Sequence, residues 1–308
     1  MKEVKMKKDL LCVSDLDSSS IWRIFKLSDE LRQRYDQKPL QNKNILLFFE
    51  KPSLRTKVSF EVAINQLGGS CLFLSDLEIG LGSREEVKDV ARVLSSYVDC
   101  IIARVFSHQK LIELAQYSTI PIINGLSDVS HPCQALSDLY TIWKKKGELM
   151  DISLSFIGDG SNNVASSLIL ACSMMGVNIT VASPTKYYPR KEILDKAGGY
   201  AKASGVLIKV TSDPEEAAKS ADLLYTDVWT SMGQEKEKEE RLRVFSDFQI
   251  NEKLLSLAKK DCLIMHCLPA HRGEEITDSA IEGPNSIVFS QAENRLVTQR
   301  GILVYLLT

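Results

Sequence analysis

The stretch NILLFFEKPSLRTKVSFEVAINQL, from Asn44 to Leu67, decides the fold. Asn44–Phe49 is a short, almost wholly apolar run of the kind that forms a strand buried on both faces. Pro52 and Ser53 end it, and Arg55–Leu67 then has helical periodicity. The result is one strand-turn-helix unit. Ser53 is placed to cap the helix, Arg55 and Thr56 add donors, and the free N–H groups of the first turn carry the positive end of the helix dipole. Such a turn suits a phosphate, although a pattern this short also reads as an ordinary capped helix with a surface arginine.

The same alternation runs outward from this stretch. Further strands are predicted at Ser70–Leu74, Cys100–Ala103, Ile120–Asn124, Ser153–Ile157, Asn178–Ala182, Ala221–Thr226, Cys262–His266 and Ile287–Phe289. Helical segments include Val87–Tyr97, His131–Lys146, Asn163–Met175 and Arg190–Ser204. Strands and helices in alternation predict an α/β protein with mainly parallel sheets. Lys144, Lys145 and Lys146 followed by Gly147 form a helix stop, which places a domain boundary there. The chain of 308 residues thus divides into 1–147 and 148–292, with the helix 293–308 packing back on the first part. The charged run Gln234–Arg243 reads as a solvated face.

Thirty-eight basic and forty acidic residues leave a net charge of −2, which gives no general affinity for nucleic acid or an anionic membrane. The basic N-terminus is followed by no long apolar region and no run is long enough to span a bilayer, so a cytoplasmic location is expected. Seven scattered cysteines without a C-x-x-C pair predict neither a disulfide framework nor a structural metal.

Four more groups of polar residues lie at predicted strand ends. His131-Pro132-Cys133-Gln134 follows Asn124–Asp128; Pro132 suits a first helical position, leaving His131 at the cap and Gln134 a turn along. Gly158-Asp159-Gly160-Ser161-Asn162-Asn163 has the look of a dinucleotide loop but lacks the third glycine and the later ribose-binding carboxylate. Asp227, with Ser231, Met232 and Gly233 beyond it, can meet a ligand ammonium. His266-Cys267-Leu268-Pro269 ends another strand. Each alone also reads as a cap or a buried polar group, but open parallel sheets bind ligands at the carboxyl ends of their strands, and five such groups point to a site.

Together these motifs resemble the aspartate/ornithine carbamoyltransferase family along essentially the whole chain. Ser53–Thr56 stands for S-T-R-T, Arg104 for the arginine after the third strand, and His131–Gln134 for H-P-x-Q. Asp227 with Ser231-Met232-Gly233 stands for the D-x-x-x-S-M-G ornithine signature, His266–Pro269 for H-C-L-P, and Glu293-Asn294-Arg295 for E-N-R. The resemblance implies two similar three-layer α/β/α domains joined by interdomain helices, the first binding carbamoyl phosphate and the second ornithine. It implies that Ser53, Leu54, Arg55, Thr56, Glu78 and Arg104 surround the phosphate. Thr56, Arg104, His131 and Arg295 would polarise the carbamoyl oxygen, while Gln134 and the carbonyls around Cys267 and Leu268 orient its amino group. Asn163, Asp227, Ser231 and Met232 would hold ornithine, with Cys267 near its δ-amine. A cis Leu268–Pro269 bond, a homotrimer with shared sites, and no metal or organic cofactor are also implied.

Three positions depart from the family pattern, the mildest being Lys57, which stands for an arginine and gives up bidentate pairing. Leu54 replaces a threonine and removes one hydroxyl, a feature shared with relatives that use N-acylated ornithine. Glu78 replaces a glutamine, and a carboxylate about 4 Å from a phosphate oxygen costs on the order of 1 kcal/mol per charge pair in water. The implied reaction is carbamoyl transfer to ornithine, giving citrulline and phosphate. Competing readings are transfer to an N-acylated ornithine or another amine, a non-catalytic carbamoyl-phosphate-binding paralogue, and an NAD-dependent oxidoreductase resting on Gly158–Gly160 alone.

Overall fold

The structure, a computed structural model, describes residues 7–33, 37–230 and 235–308. It divides into two compact units. The first runs through Ser137 and includes Asn294–Thr308; the second is Asp138–Glu293.

In the first unit, helix α1 (Ser18–Gln33) precedes strand β1 (Asn44–Phe49), α2 (Leu54–Gln66), β2 (Ser70–Ser75), the single turn α3 (Asp76–Ile79), α4 (Val87–Ser95), β3 (Cys100–Arg104), α5 (His108–Tyr117) and β4 (Ile122–Leu126). Helix α6 (Pro132–Lys146) leads into the second unit, which continues with β5 (Ser153–Ile157), α7 (Asn163–Met175), β6 (Asn178–Ala182), α8 (Lys191–Ser204), β7 (Ile208–Thr211), α9 (Pro214–Ala218) and β8 (Leu223–Thr226). Then come α10 (Lys238–Val244), α11 (Glu252–Leu257), β9 (Leu263–His266), α12 (Asp278–Glu282) and α13 (Val288–Leu307). The division between units falls within α6 and α13.

Every strand pairing is parallel, in the orders β2-β1-β3-β4 and β7-β6-β5-β8-β9. In each sheet the chain first winds outward one way and then returns to wind the other way. Because parallel crossovers are right-handed, that reversal sends successive helices to opposite faces. It also opens a crevice at the reversal, between β1 and β3 and between β5 and β8, the place where such sheets bind ligands. Along β1, Leu46 and Phe48 face a core with Val90, Ile101 and Leu111. In the second unit Ile157, Leu224, Trp229, Phe245 and Ile264 share one core.

The predicted α/β alternation holds, with three local differences. Ile287–Phe289 is not a strand: Ser286 makes only an isolated bridge to Ile264, and the helix starts at Val288. The fifth strand of that sheet is instead β7, at the edge opposite β9, a four-residue strand with only partial burial whose apolar signal is too thin to stand out. Leu10 also adds a short parallel bridge to Ile123 at the β4 edge, exchanging backbone hydrogen bonds with Ile122 and Asn124. Among the described residues, no helix is long and apolar enough to cross a membrane.

The run Gln234–Arg243 is not wholly solvated. Arg241 is buried, donates from Nη1 to Asp159 Oδ2 at 2.7 Å and to the Trp229 carbonyl at 2.9 Å, and lies over the Tyr187 ring. Asp159 therefore anchors a neighbouring helix, and its other oxygen accepts from the backbone and hydroxyl of Ser161. Removing Asp159 leaves the buried Arg241 guanidinium with only the half-exposed Glu237 carboxylate, 3.0 Å from its Nε, as a charged partner. Asp159→Ala is accordingly expected to lower stability by about 3–5 kcal/mol, measured by denaturant unfolding.

Candidate active site

The first unit collects its polar residues at the ends of three adjacent strands. After β1, the Ser53 hydroxyl caps α2 by accepting from Thr56 N–H at 3.4 Å. Arg55 is half-buried in the first turn, Thr56 is buried, and Leu54 is 75% exposed. The carbonyl of Arg104, at the end of β3, accepts from Glu50 N–H at 2.9 Å. Glu50 in turn accepts from Phe106 N–H and pairs with Lys110, so the two loops are pinned together. Gly125 at the end of β4 lies so close that a Cβ there would approach the Ala103 carbonyl at 3.3 Å and the Thr56 methyl at 3.6 Å.

After β4, a buried network fixes the approach to His131. Asn124 Nδ2 donates to the Leu11 and Ser130 carbonyls at 2.8 and 3.1 Å, and Ser127 and Ser130 bond to each other. Pro132 opens α6 as expected, leaving His131 at its entrance and Gln134 in its first turn, both buried. Burial holds the His131 imidazole well below its usual pKa, and the positive charges of Arg295 and Arg104 lower it further. Arg295 on α13 is itself buried and donates from Nη2 to Thr56 Oγ1 at 3.1 Å. Thr56, Arg104, His131 and Arg295, spread over 240 positions from Thr56 to Arg295 in sequence, are thereby one cluster: a neutral imidazole beside two guanidinium groups.

Glu78 lies elsewhere, exposed on α3. Its carboxylate accepts from Ser75 N–H at 2.7 Å and Ser75 Oγ at 2.8 Å, a capping box whose donors lower its pKa and keep it ionised.

The second unit gathers groups from β5, β8 and β9, which are also sheet neighbours. Asp227, just past β8, is buried. One carboxylate oxygen accepts from Cys267 Sγ at 3.0 Å and Val228 N–H at 2.8 Å; the other accepts from Asn162 Nδ2 at 3.2 Å. Burial raises the Asp227 pKa, against the opposing influence of His266, Cys267 and the Val228 N–H. Asn162 uses its Oδ1 to cap α7, so the same amide sets the helix start and the carboxylate. Asn163 is the first residue of α7. Ser231 and Met232 lie outside the described residues.

After β9, Leu268 has φ of +57° and its bond to Pro269 is cis. His266 holds this turn. Its Nδ1 accepts from Leu268 N–H at 2.8 Å, so the ring proton sits on Nε2, 2.9 Å from Glu275 Oε1. Motif spacing singles out neither Glu275 nor Arg241, whereas Asn162 stands in the Gly158–Asn163 group and carries a further local signal as a cap before an apolar helix.

Comparison with known proteins agrees with this geometry. A family model described as aspartate/ornithine carbamoyltransferase, carbamoyl-P binding domain, matches residues 8–144. The corresponding Asp/Orn binding domain model matches residues 150–306. The chain belongs to the aspartate/ornithine carbamoyltransferase family. It is 49% identical to the ornithine carbamoyltransferase of Archaeoglobus fulgidus, covering 97% of both chains, and 51% identical to that of Bacillus subtilis, covering 96% of this chain and 92% of the relative. The solved ornithine carbamoyltransferase of Pyrococcus furiosus superposes with a TM-score of 0.95 at 46% identity, covering 98% of this chain and 97% of that one. In this family member, the dinucleotide-like Gly158–Gly160 loop has a structural occupation: a Cβ at Gly160 would approach Val181 at 2.9 Å, and Asp159 is held by Arg241.

Proposed function

We propose that this chain transfers the carbamoyl group of carbamoyl phosphate to the δ-amine of L-ornithine, giving L-citrulline and phosphate. The observation that carries the reading is the cluster in which Thr56, Arg104 and His131, from the part of the chain that matches the carbamoyl-P binding model, meet Arg295 from the part that matches the Asp/Orn binding model. In this reading Ser53, Arg55, Thr56 and the first turn of α2 hold the phosphate. Arg104, Thr56, Arg295 and the N–H of neutral His131 face the carbamoyl oxygen, where negative charge grows as the amine attacks. Gln134 and the carbonyls at Cys267 and Leu268 orient the carbamoyl amino group. Asp227 pairs with the α-ammonium of ornithine, and Asn163, Ser231 and Met232 complete that end.

The new bond joins the δ-nitrogen to the carbamoyl carbon, the bond from that carbon to the phosphate ester oxygen breaks, and the departing phosphate accepts the amine proton. No protein nucleophile is needed; the enzyme's contribution is charge placement and contact between substrates. The buried Asp227 favours an amino acid ammonium over the side-chain carboxylate of aspartate. We further propose a cytoplasmic homotrimer in which Leu54 and Glu78 lie near shared sites, a reading supported by the exposed apolar side chains Leu54, Val58, Leu72 and Leu77.

A colorimetric citrulline assay run with ornithine, N-acetylornithine, putrescine and aspartate tests the assignment. Turnover with ornithine is expected; turnover confined to another amine, or carbamoyl-phosphate binding without product, overturns it. Because Ser75 keeps Glu78 ionised, Glu78→Gln is expected to lower the KM for carbamoyl phosphate severalfold by relieving repulsion of the phosphate. Glutamine also serves in a capping box, so the melting temperature should change little.

A further inference from the structure

We propose that His271, Glu274 and Glu275 form a binding site for a divalent first-row metal ion of the zinc class, linked through Glu275 to the turn at Cys267–Pro269. Each offers a ligand atom, and the three lie within 4.8 Å of one another. Glu275 is fully buried. Its Oε1 is occupied, accepting from His266 Nε2 and from His271 N–H, but its Oε2 is shielded from solvent and has no hydrogen-bond partner. His271 Nδ1 and Glu274 Oε2 are likewise shielded and form no hydrogen bond. They stand 3.2 Å apart, an ion pair when the imidazole is protonated.

An imidazole nitrogen and two carboxylates gathered within 4.8 Å repel unless a cation or a proton sits among them. One imidazole nitrogen and two carboxylate oxygens form a donor set suited to Zn²⁺ or Co²⁺. Ligand atoms about 2.0–2.1 Å from an ion at tetrahedral angles are about 3.3 Å apart, close to the spacing of His271 Nδ1 and Glu274 Oε2. The other Glu274 oxygen is paired with Lys238 at 3.1 Å, so one oxygen remains for a metal.

The backbone presents the three residues in a fixed turn. Gly273 has φ of +89°, Glu274 N–H donates to the His271 carbonyl, and Gly273 N–H donates to Ile276. Gln249 Nε2 clamps the outside through the carbonyls of Gly273 and Glu274 at 2.9 and 2.8 Å. An ion bound at Glu275 Oε2 withdraws charge from the carboxylate that accepts the His266 proton, and His266 positions Leu268 N–H. Occupancy is thereby coupled to the substrate-facing turn, a consequence that rests on the proposed carbamoyl transfer, whereas ion binding does not.

The test uses full-length protein stripped with a chelator and titrated with Co²⁺ and Zn²⁺, followed by calorimetry and visible absorbance. One equivalent per chain is expected, with weak d–d bands and no thiolate charge-transfer band, and Cys267→Ser should bind equally well. His271→Ala and Glu274→Ala should each weaken binding at least about tenfold, the loss that even outer-shell changes cause. Circular dichroism and the unchanged metal-free activity of both variants report folding. No binding, binding indifferent to His271→Ala and Glu274→Ala, or a thiolate band placing the ion at Asp227, His266 and Cys267 overturns the site. In kinetic assays Zn²⁺ should shift a substrate KM at least about fivefold in the parent and not in His271→Ala. Normal binding with unmoved KM values refutes the coupling while leaving the ion site standing, and absence of turnover without metal indicts the assigned reaction instead.

Discussion

Arg295→Met is expected to lower the kcat for citrulline formation by about 10²–10³-fold, the loss typical of removing one preorganised oxyanion donor. Arg295 is buried and its Nη2 lies 3.1 Å from Thr56 Oγ1, so its position is set before any ligand arrives. Methionine fills much of the same space without the charge, and it leaves Thr56 without that donor. Arg295→Lys should recover only part of the rate, because an ammonium cannot reproduce the planar fork of a guanidinium. The pH profile supplies an independent readout. His131 is held neutral first by burial, then by Arg295, then by Arg104. Deleting Arg295 removes one depressing influence, so the imidazole protonates at higher pH than in the parent, though burial still holds it down. If neutral His131 is the active form, the acid limb of kcat in Arg295→Met should move upward in pH. A kcat within threefold of the parent, or an unmoved acid limb, would remove Arg295 from the proposed role.

The strand-rich framework was legible because apolar runs such as Asn44–Phe49, Ser153–Ile157 and Asn178–Ala182 are local signals, and the structure has strands at those same bounds. Helix punctuation was equally local: Ser53 caps α2, and Gly147, with φ of +85°, follows Lys146 at the end of α6. The polar groups past β1, β3 and β4 read as separate weak motifs because nothing in chain order says that these strands are neighbours; the sheet order does. The run around Arg241 reads as solvated because charge density describes a surface on average, while one guanidinium in it has a buried partner 82 residues away. Glu275 was invisible for a related reason. Its neighbours His271 and Glu274 are near in sequence, but its meaning comes from full burial and from His266. Sequence patterns expose what periodicity and caps encode; pairings that exist only after packing leave no local trace.

Asp227→Asn should separate binding from stability in opposite directions. The carboxylate is buried and accepts from Asn162, Cys267 and Val228. In the proposed complex it also meets the ornithine ammonium, a charged hydrogen bond contributing about 1.5–3 kcal/mol. Losing it should raise the KM for ornithine by roughly 10–150-fold, with a much smaller effect on the KM for carbamoyl phosphate, whose proposed cradle lies in the other unit. Without ligand, the same charge opposes folding. Burial raises the Asp227 pKa, so the folded chain binds its proton more tightly than the unfolded chain does. Below the usual aspartate range both states are protonated and the parent and variant should melt alike. As pH rises through the unfolded pKa and then the folded one, the parent takes on the cost of an ionised buried group and the asparagine variant does not. The difference in Tm, variant minus parent, should therefore be near zero in acid, grow with pH and level off above the folded pKa. Ornithine added with a carbamoyl-phosphate analogue should reverse the order by stabilising the parent more. A variant that melts lower than the parent at neutral pH without ligands would show instead that the donors around Asp227 compensate its burial, and that the site was not built at the expense of the fold.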